Sequence, residues 1–167
     1  MFQRFVADAR DTASLAQEIA RRVASPTIEA EHILLALAEG RDAATQAILA
    51  DAGLDPEGVR EALERENERS LAAVGVSPHA FDLPPPARLV KSPRWAASAK
   101  LALERSLKVA SARDDRRIEP SHILLGVLEA PVGTVPRALE GAGIDRAGLA
   151  RRAEAAMDLA GHDGVSG

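Results

Sequence analysis

The chain of 167 residues contains no cysteine and no tyrosine, and its only aromatic residues are three phenylalanines and one tryptophan. The lack of cysteine excludes disulfide bonds and zinc sites with thiolate ligands. No apolar run approaches the roughly 18 residues of a membrane-spanning helix. The first residues also lack the apolar centre of a signal peptide. We therefore expect a soluble, cytoplasmic protein that does not contact membranes.

A large excess of charge of one sign is also missing. The chain has 21 basic and 25 acidic side chains, which gives a formal net charge of −4. A mildly acidic chain is not expected to bind nucleic acid, because phosphate contacts need a basic surface. Arginine far outnumbers lysine and alanine is abundant, which suggests a GC-rich genome such as that of an actinobacterium.

Motifs for catalysis and nucleotide binding are absent as well. The sequence has no G-x-S-x-G turn, no H-E-x-x-H pair and no G-x-x-x-x-G-K-[ST] phosphate loop. We expect no catalytic residue and no cofactor.

What the chain does have is alanine, leucine and strong helical periodicity. Hydrophobic residues make up 46% of the sequence, and a chain rich in alanine but poor in β-branched and aromatic residues favours helices over strands. The pattern predicts eight helices at 3–22, 29–39, 42–52, 56–73, 93–112, 119–129, 134–142 and 146–159. The segment 75–92 contains glycine and a run of three prolines and is predicted to be a linker, and residues 161–167 a disordered tail.

An internal repeat predicts the architecture. A single shift of 90 positions without gaps places residues 28–35 over 118–125, and it also aligns the turn glycines Gly53 and Gly143. We therefore predict an all-α fold built as a duplicated four-helix unit. Repeat 1 (1–74) and repeat 2 (93–160) pack as a pseudo-two-fold pair and form a single domain over 1–160.

Three segments carry a resemblance to a known family. They are residues 1–6 (MFQRFV), 16–20 (AQEIA) and 28–37 (IEAEHILLAL), the last of them repeated at 118. With these motifs the chain resembles the N-terminal domain of Clp-type AAA+ unfoldases, above all the ClpC/ClpA branch. The resemblance implies a non-catalytic module that binds unfolded or arginine-phosphorylated proteins, Clp adaptors or Clp subunits, and also cyclic peptide natural products.

Full-length members of that family continue into ATPase modules, and this chain has no phosphate loop of the kind that those modules carry. The chain is then either a domain cut from a longer protein or a stand-alone domain. A stand-alone domain would compete with the unfoldase for its ligands and act as a decoy or sequestering protein. The alternative is an accessory regulator that binds the Clp unfoldase itself and changes its assembly or activity.

The resemblance also implies a phosphoarginine site. In the ClpC branch the position of Glu31 is a glutamate, and in some members this residue and its counterpart in the second repeat, here Ser121, bind phosphorylated arginine. The family's threonines fall on Val6 and Ala96, so we expect this site to be degraded. The alternative for Glu31 is a carboxylate that stabilises a helix N-terminus. For Ser121 it is a residue that only starts a helix.

The resemblance implies a second site, an apolar docking groove between the first helices of the two halves. Its aromatic residues are Phe2 and Trp95, with Trp95 at the start of the fifth helix. Around them we expect four residues that match the family in type: Arg10, Gln17, Lys100 and Glu104. The alternative is that the two aromatic side chains only seal the contact between the halves.

Two histidines, His32 and His122, occupy equivalent positions at the starts of their helices. Neither has a second histidine four residues away or a nearby cysteine, so converging metal ligands are missing. We predict that both are hydrogen-bonded structural residues and that the chain binds no metal.

Overall fold

The computed structural model of the protein describes residues 2–76 and 91–163. These residues form eight α-helices and two strands of two residues each. The helices are α1 (Ala7–Arg22), α2 (Ala30–Glu39), α3 (Ala43–Asp51), α4 (Pro56–Ala73), α5 (Ala97–Ala112), α6 (Pro120–Leu128), α7 (Thr134–Gly141) and α8 (Arg146–Asp163), and the strands are β1 (Thr27–Ile28) and β2 (Arg94–Trp95). The prediction of an all-α chain with eight helices is confirmed.

The turns between helices follow the residues that favour them. Asp55 caps α4 by accepting the Gly58 N–H at 2.9 Å, and Asp145 accepts the Gly148 N–H at 3.0 Å at the equivalent start of α8. Before each cap a glycine adopts positive φ, which side chains disfavour. The angles are 78° at Gly53 and 72° at Gly143.

Helices α2 and α6 lie at the centre of the molecule. In α6 every residue is buried, and in α2 only the second residue and the last are not. Helix α1 packs against α2 and α6, and α5 packs against α6 and α2. Each outer helix therefore contacts the central helix of its own repeat and that of the other repeat, which makes one shared core.

The two repeats also exchange their leading segments. Strand β2 pairs in parallel with β1, so that Trp95 lies beside Ile28. At the equivalent place Phe5 forms a parallel bridge with Ile118. Hydrogen bonds from the Ala96 N–H to the Ile28 carbonyl and from the Val6 N–H to the Ile118 carbonyl, both 3.0 Å, support this pseudo-two-fold exchange.

This exchange corrects one prediction from the sequence. Trp95 does not open the fifth helix, because its backbone is extended and pairs with β1, and α5 begins only at Ala97. The pairing was not visible in the sequence, since two-residue strands are too short to show alternation.

The other boundary differences are small. Helix α1 begins at Ala7 and is preceded by a 3-10 turn over Phe2–Arg4. Helix α8 continues to Asp163, so the predicted disordered tail from 161 overlaps a helix. Residues 164–167 and most of the predicted linker, 77–90, lie outside the described residues.

Candidate functional site

The residues predicted to form an apolar groove differ in their exposure. Arg10, Lys100 and Glu104 are exposed, and Gln17 is half-buried on α1. Trp95 is partly buried and packs against the core. The side chain of Phe2 lies outside the described side chains.

The two helices expected to border this groove are α1 and α5. Helices α1 and α5 pack mainly against the central helices α2 and α6 rather than against each other. None of the five described groove residues lines any of the five cavities considered for residues 2–76 and 91–163. The groove at Trp95 stays a prediction.

Glu31 has a different environment, because it lies between two cavities. We call the first the α5 cavity, about 670 Å³ in volume, which lies between the start of α2, helix α5 and the segment before α7. The second, the α4 cavity, has a volume of about 460 Å³ and lies between α2, α4 and the start of α7. Arg137 on α7 also lines both cavities.

The surroundings of the Glu31 carboxyl disfavour its ionised form. Burial raises its pKa above the usual range, the nearby carboxylate of Glu29 raises it further, and its own backbone N–H and Arg137 act in the opposite direction. Among the described residues it has no ion-pair partner within 4.0 Å. A half-buried carboxyl without a cation partner is available to a ligand that carries a donor.

The carboxylate of Glu29, by contrast, accepts hydrogen bonds from within the fold. Its carboxylate accepts hydrogen bonds from the hydroxyls of Thr27 and Ser98 and from the backbone N–H of His32. The Ser98 hydroxyl oxygen in turn accepts the N–H of Ala30 at 2.9 Å. This network fixes the start of α2 against α5, and it therefore fixes the position of Glu31.

Arg137 is fixed by a buried carboxylate on α4. Its Nε donates to Glu66 Oε1 at 2.7 Å, and the hydroxyl of Ser70 donates to the same oxygen at 2.8 Å. The hydrogen bonds from Arg137 and then Ser70 hold the pKa of Glu66 below its usual range. The pair clamps α4 to α7, and so one repeat to the other, at the edge of both cavities.

The α5 cavity also has an apolar wall. Leu101 is 45% exposed and Val132 is 80% exposed, and both are among the most exposed large apolar side chains of the described part. They line the cavity together with Pro131 and Pro136. An apolar wall beside charged groups is typical of surfaces that dock a polypeptide.

These wall residues were not predicted from the sequence. The signal was weak: Ser98, Leu101 and Arg105 share one face of α5 at helical spacing, and a single leucine on a polar face is common on any protein surface.

Ser121, the counterpart of Glu31, lies in a closed environment. It is only 7% exposed at the start of α6 and lines none of the five cavities. The residues at the positions of the family's threonines, Val6 and Ala96, are the N-cap residues of α1 and α5 and form no side-chain cap. The degraded phosphoarginine site at Glu31 and Ser121 stays a prediction.

Both histidines are hydrogen-bonded to the backbone at the starts of their helices, and this part of the prediction is confirmed. The backbone N–H of Glu29 donates to His32 Nδ1 at 2.8 Å, and that of Glu119 donates to His122 Nδ1 at 2.9 Å. Each histidine thus completes a capping box at the start of its helix. No group of three or more candidate metal ligands occurs within residues 2–76 and 91–163.

In the same part of the chain, no helix combines the length and the apolar character needed to cross a bilayer.

Comparison with known proteins identifies the family. The sequence matches the Clp repeat (R) N-terminal domain over residues 4–91 and 94–164. It is 34% identical over 146 residues to the chloroplastic chaperone protein ClpC1 of Oryza sativa and 33% identical to a chloroplastic ClpA homologue, the ATP-binding subunit of an ATP-dependent Clp protease, of Brassica napus. These matches cover 87% of this chain but only 14–15% of the relatives.

A solved structure shows the same fold. The N-terminal domain of the chaperone ClpD from Arabidopsis thaliana matches 95% of this chain and 97% of its own, with a TM-score of 0.66 at 19% identity. The sequence and fold together show that the chain belongs to the Clp repeat N-terminal domain family.

Proposed function

We propose that this chain is a non-catalytic protein-binding module of a Clp chaperone–protease system. The support for a Clp system comes from relatives named as Clp chaperones and as the ATP-binding subunit of a Clp protease. The docking site in this proposal is the α5 cavity together with Glu31.

One observation carries the choice of site. Glu31 is a half-buried carboxyl with no described ion-pair partner, and it lies where the α5 and α4 cavities meet. Its neighbours supply an apolar wall at Leu101 and Val132. A bound segment would place a cationic or hydrogen-bond-donating group on Glu31 and an apolar side chain on that wall.

The same geometry supports arginine-phosphorylated proteins as one ligand class. The guanidinium part of a phosphoarginine is a donor for Glu31, and Arg105 and Arg137 line the α5 cavity where the phosphate would lie. These arginines would take the role of the hydroxyls that are missing at Val6 and Ala96.

The test is a binding titration with casein, an unfolded protein, with and without arginine phosphorylation. We expect saturable binding of both forms and tighter binding of the phosphorylated form. Glu31→Gln should weaken the phosphorylated form more strongly than the unphosphorylated one, because the change removes the charge that the guanidinium contacts.

Glu104→Gln is the matched control, since Glu104 is an exposed carboxylate on α5 that lines none of the five cavities. If the Glu104 change weakens binding and the Glu31 change does not, the ligand binds at the predicted groove around Trp95. Trp95 emission, which reports on that groove, should then shift on binding. Absence of casein binding in the native protein would contradict the proposed function itself.

A further inference from the structure

We propose that the α4 cavity binds the side-chain carboxamide of a glutamine, which accepts a hydrogen bond from the Nε2–H of His32 and donates one to the carboxyl of Glu31. The inference rests on the proposed function, since it adds a preference for one side chain to the segment that docks at Glu31. The site lies on the α4 side of that glutamate and is separate from the wall of the α5 cavity.

His32 presents a fixed hydrogen-bond donor to this cavity. Its Nδ1 accepts the backbone N–H of Glu29 at 2.8 Å, so the proton of the neutral ring is on Nε2. Burial lowers the pKa of His32, while the Glu29 carboxylate acts in the opposite direction, and the neutral ring therefore prevails at neutral pH. The side chain is 8% exposed and lines the α4 cavity, and its Nε2 has no hydrogen-bond partner within residues 2–76 and 91–163. An acceptor bound in the cavity would satisfy this donor.

The second repeat shows that the fold can satisfy the same donor internally. His122 Nε2, at the equivalent position, lies 2.9 Å from Asp115 Oδ2. The residue equivalent to Asp115 in repeat 1 is Ser25, whose hydroxyl donates instead to the carbonyl of Thr27 at 2.7 Å. Both histidines complete a capping box. The cap therefore does not require a histidine with a free Nε2–H, and that donor is specific to repeat 1.

Glu31 supplies the acceptor of the site. Of the other charged groups on the α4 cavity, Arg60 is paired with Glu39, and Arg137 is paired with Glu66 at 2.7 Å. Glu31 is thus the charged group of this lining that has no ion pair among the described residues, and charge complementarity favours an occupant that brings a donor. A carboxylate has two acceptor oxygens, so a donor from the α4 side does not exclude one from the α5 side.

Together the two groups select a ligand that both accepts and donates. Guanidinium and ammonium groups only donate, and a carboxylate only accepts. The N–H and C=O of a trans peptide bond point in opposite directions, whereas a primary carboxamide carries both functions on one edge. Glutamine adds a short aliphatic stem, and the α4 cavity offers it four apolar side chains: Ile19, Val23, Leu35 and Leu63.

The test follows the side-chain nitrogens of both histidines by ¹⁵N NMR while the native protein is titrated with short Gly/Ser-rich peptides. The peptides differ in one central residue, which is glutamine, methionine, glutamate or lysine. We expect the glutamine peptide to shift His32 Nε2 saturably and to leave His122 unchanged. The other three peptides should bind at His32 about tenfold more weakly, because each lacks one or both of the hydrogen bonds.

Ser25→Asp tests the donor without changing His32 itself. It places a carboxylate at the position equivalent to Asp115, and the residues just before these positions, Ala24 and Asp114, share a positive φ of 53° and 59°. The new carboxylate should pair with His32 Nε2, as its counterpart does in repeat 2. The affinity for the glutamine peptide should then fall about tenfold.

Ser14→Asp is the matched control, since it adds the same charge at an exposed position of α1 that lines none of the five cavities. The inference is overturned if the four peptides bind equally, if none of them shifts His32 Nε2, or if pairing of His32 in the Ser25 variant leaves the affinity unchanged. If the added carboxylate does not pair, the peptide series alone decides. Casein binding that persists in these cases would leave the proposed function standing, and absence of casein binding in the native protein would remove both.

Discussion

The starts of α2 and α6 are built from the same cap but have opposite surroundings. Both use a glutamate and a histidine three residues later, with cap hydrogen bonds of 2.8 and 2.9 Å. The residue just before that histidine is Glu31 in repeat 1, where it lines two cavities. In repeat 2 it is Ser121, which is buried. The two repeats therefore share the residues that cap the helix and differ in the residue next to the cap.

A second difference accompanies the first. In repeat 1 the N–H of Ala30 needs an acceptor, which the Ser98 hydroxyl supplies. In repeat 2 the equivalent residue is Pro120, which has no N–H, and the position equivalent to Ser98 is Asp8. Because Pro120 has no N–H, the start of α6 needs no acceptor from a polar side chain on α1 at this position. Two copies of one motif therefore yield a single candidate site.

The largest expected effect on stability concerns how closely α5 and α6 pack. A Cβ on Gly126 in α6 would overlap the carbonyl oxygen of Ala102 in α5, which is backbone and cannot move aside easily. We expect Gly126→Ala to destabilise the protein by about 3 kcal/mol. Its counterpart in repeat 1 is Ala36, where Ala36→Gly should cost only about 1 kcal/mol. Urea unfolding of both variants measures the difference, and a Gly126→Ala variant as stable as the native protein would contradict the close approach of α5 and α6 at Gly126.

The next effect concerns the clamps between the repeats. Glu66 is 5% exposed and binds Arg137, whereas the Asp51–Arg152 pair that joins α3 to α8 is largely exposed. We expect Glu66→Gln to cost about 2 kcal/mol because a neutral amide replaces the buried carboxylate that accepts the charged hydrogen bond of Arg137, and Asp51→Asn to cost less than about 0.5 kcal/mol. Thermal unfolding at neutral pH measures both.

The pH dependence of the Glu66 clamp gives a separate check. The pKa of Glu66 is lowered in the folded state. Its contribution to stability is therefore present above the ordinary value of 4.5 and is lost as the pH falls through the folded-state pKa. The native protein and Glu66→Gln should converge in stability at acid pH. A constant difference across that range would contradict the assigned role.

A smaller difference in stability is expected between changes at the start of α3 and changes at the start of α7. Asp42 caps α3 by accepting the Thr45 N–H at 2.9 Å, while the equivalent residue before α7 is the exposed Val132. We expect Asp42→Ala to cost about 1 kcal/mol. Val132→Ala should leave stability unchanged and weaken peptide binding at the α5 cavity. A loss of stability in the Val132 variant would make that valine part of the core instead of the binding surface.

These contrasts explain how far the sequence could predict the molecule. The helices, the repeat and the structural role of His32 and His122 follow from local signals such as caps, periodicity and turn glycines. The strand at Trp95 and the wall at Leu101 and Val132 depend on contacts between segments far apart in the chain, which no local pattern records. Glu31 was singled out only because a family motif marks it, and its two cavities became visible only in the packed helices.

The smallest effect on stability tests the difference between Glu31 and Ser121 directly. Because burial raises the pKa of Glu31, folding disfavours its ionised form, and this penalty is present at neutral pH and disappears as the pH falls below the ordinary value of 4.5. Glu31→Gln should therefore be slightly more stable than the native protein at pH 7 and equally stable in acid. Ser121→Ala carries no titratable group, so its change in stability should not depend on pH. Urea midpoints across this pH range measure both variants, and a Glu31→Gln curve parallel to the native one would mean that the carboxyl titrates as freely in the folded protein as in water.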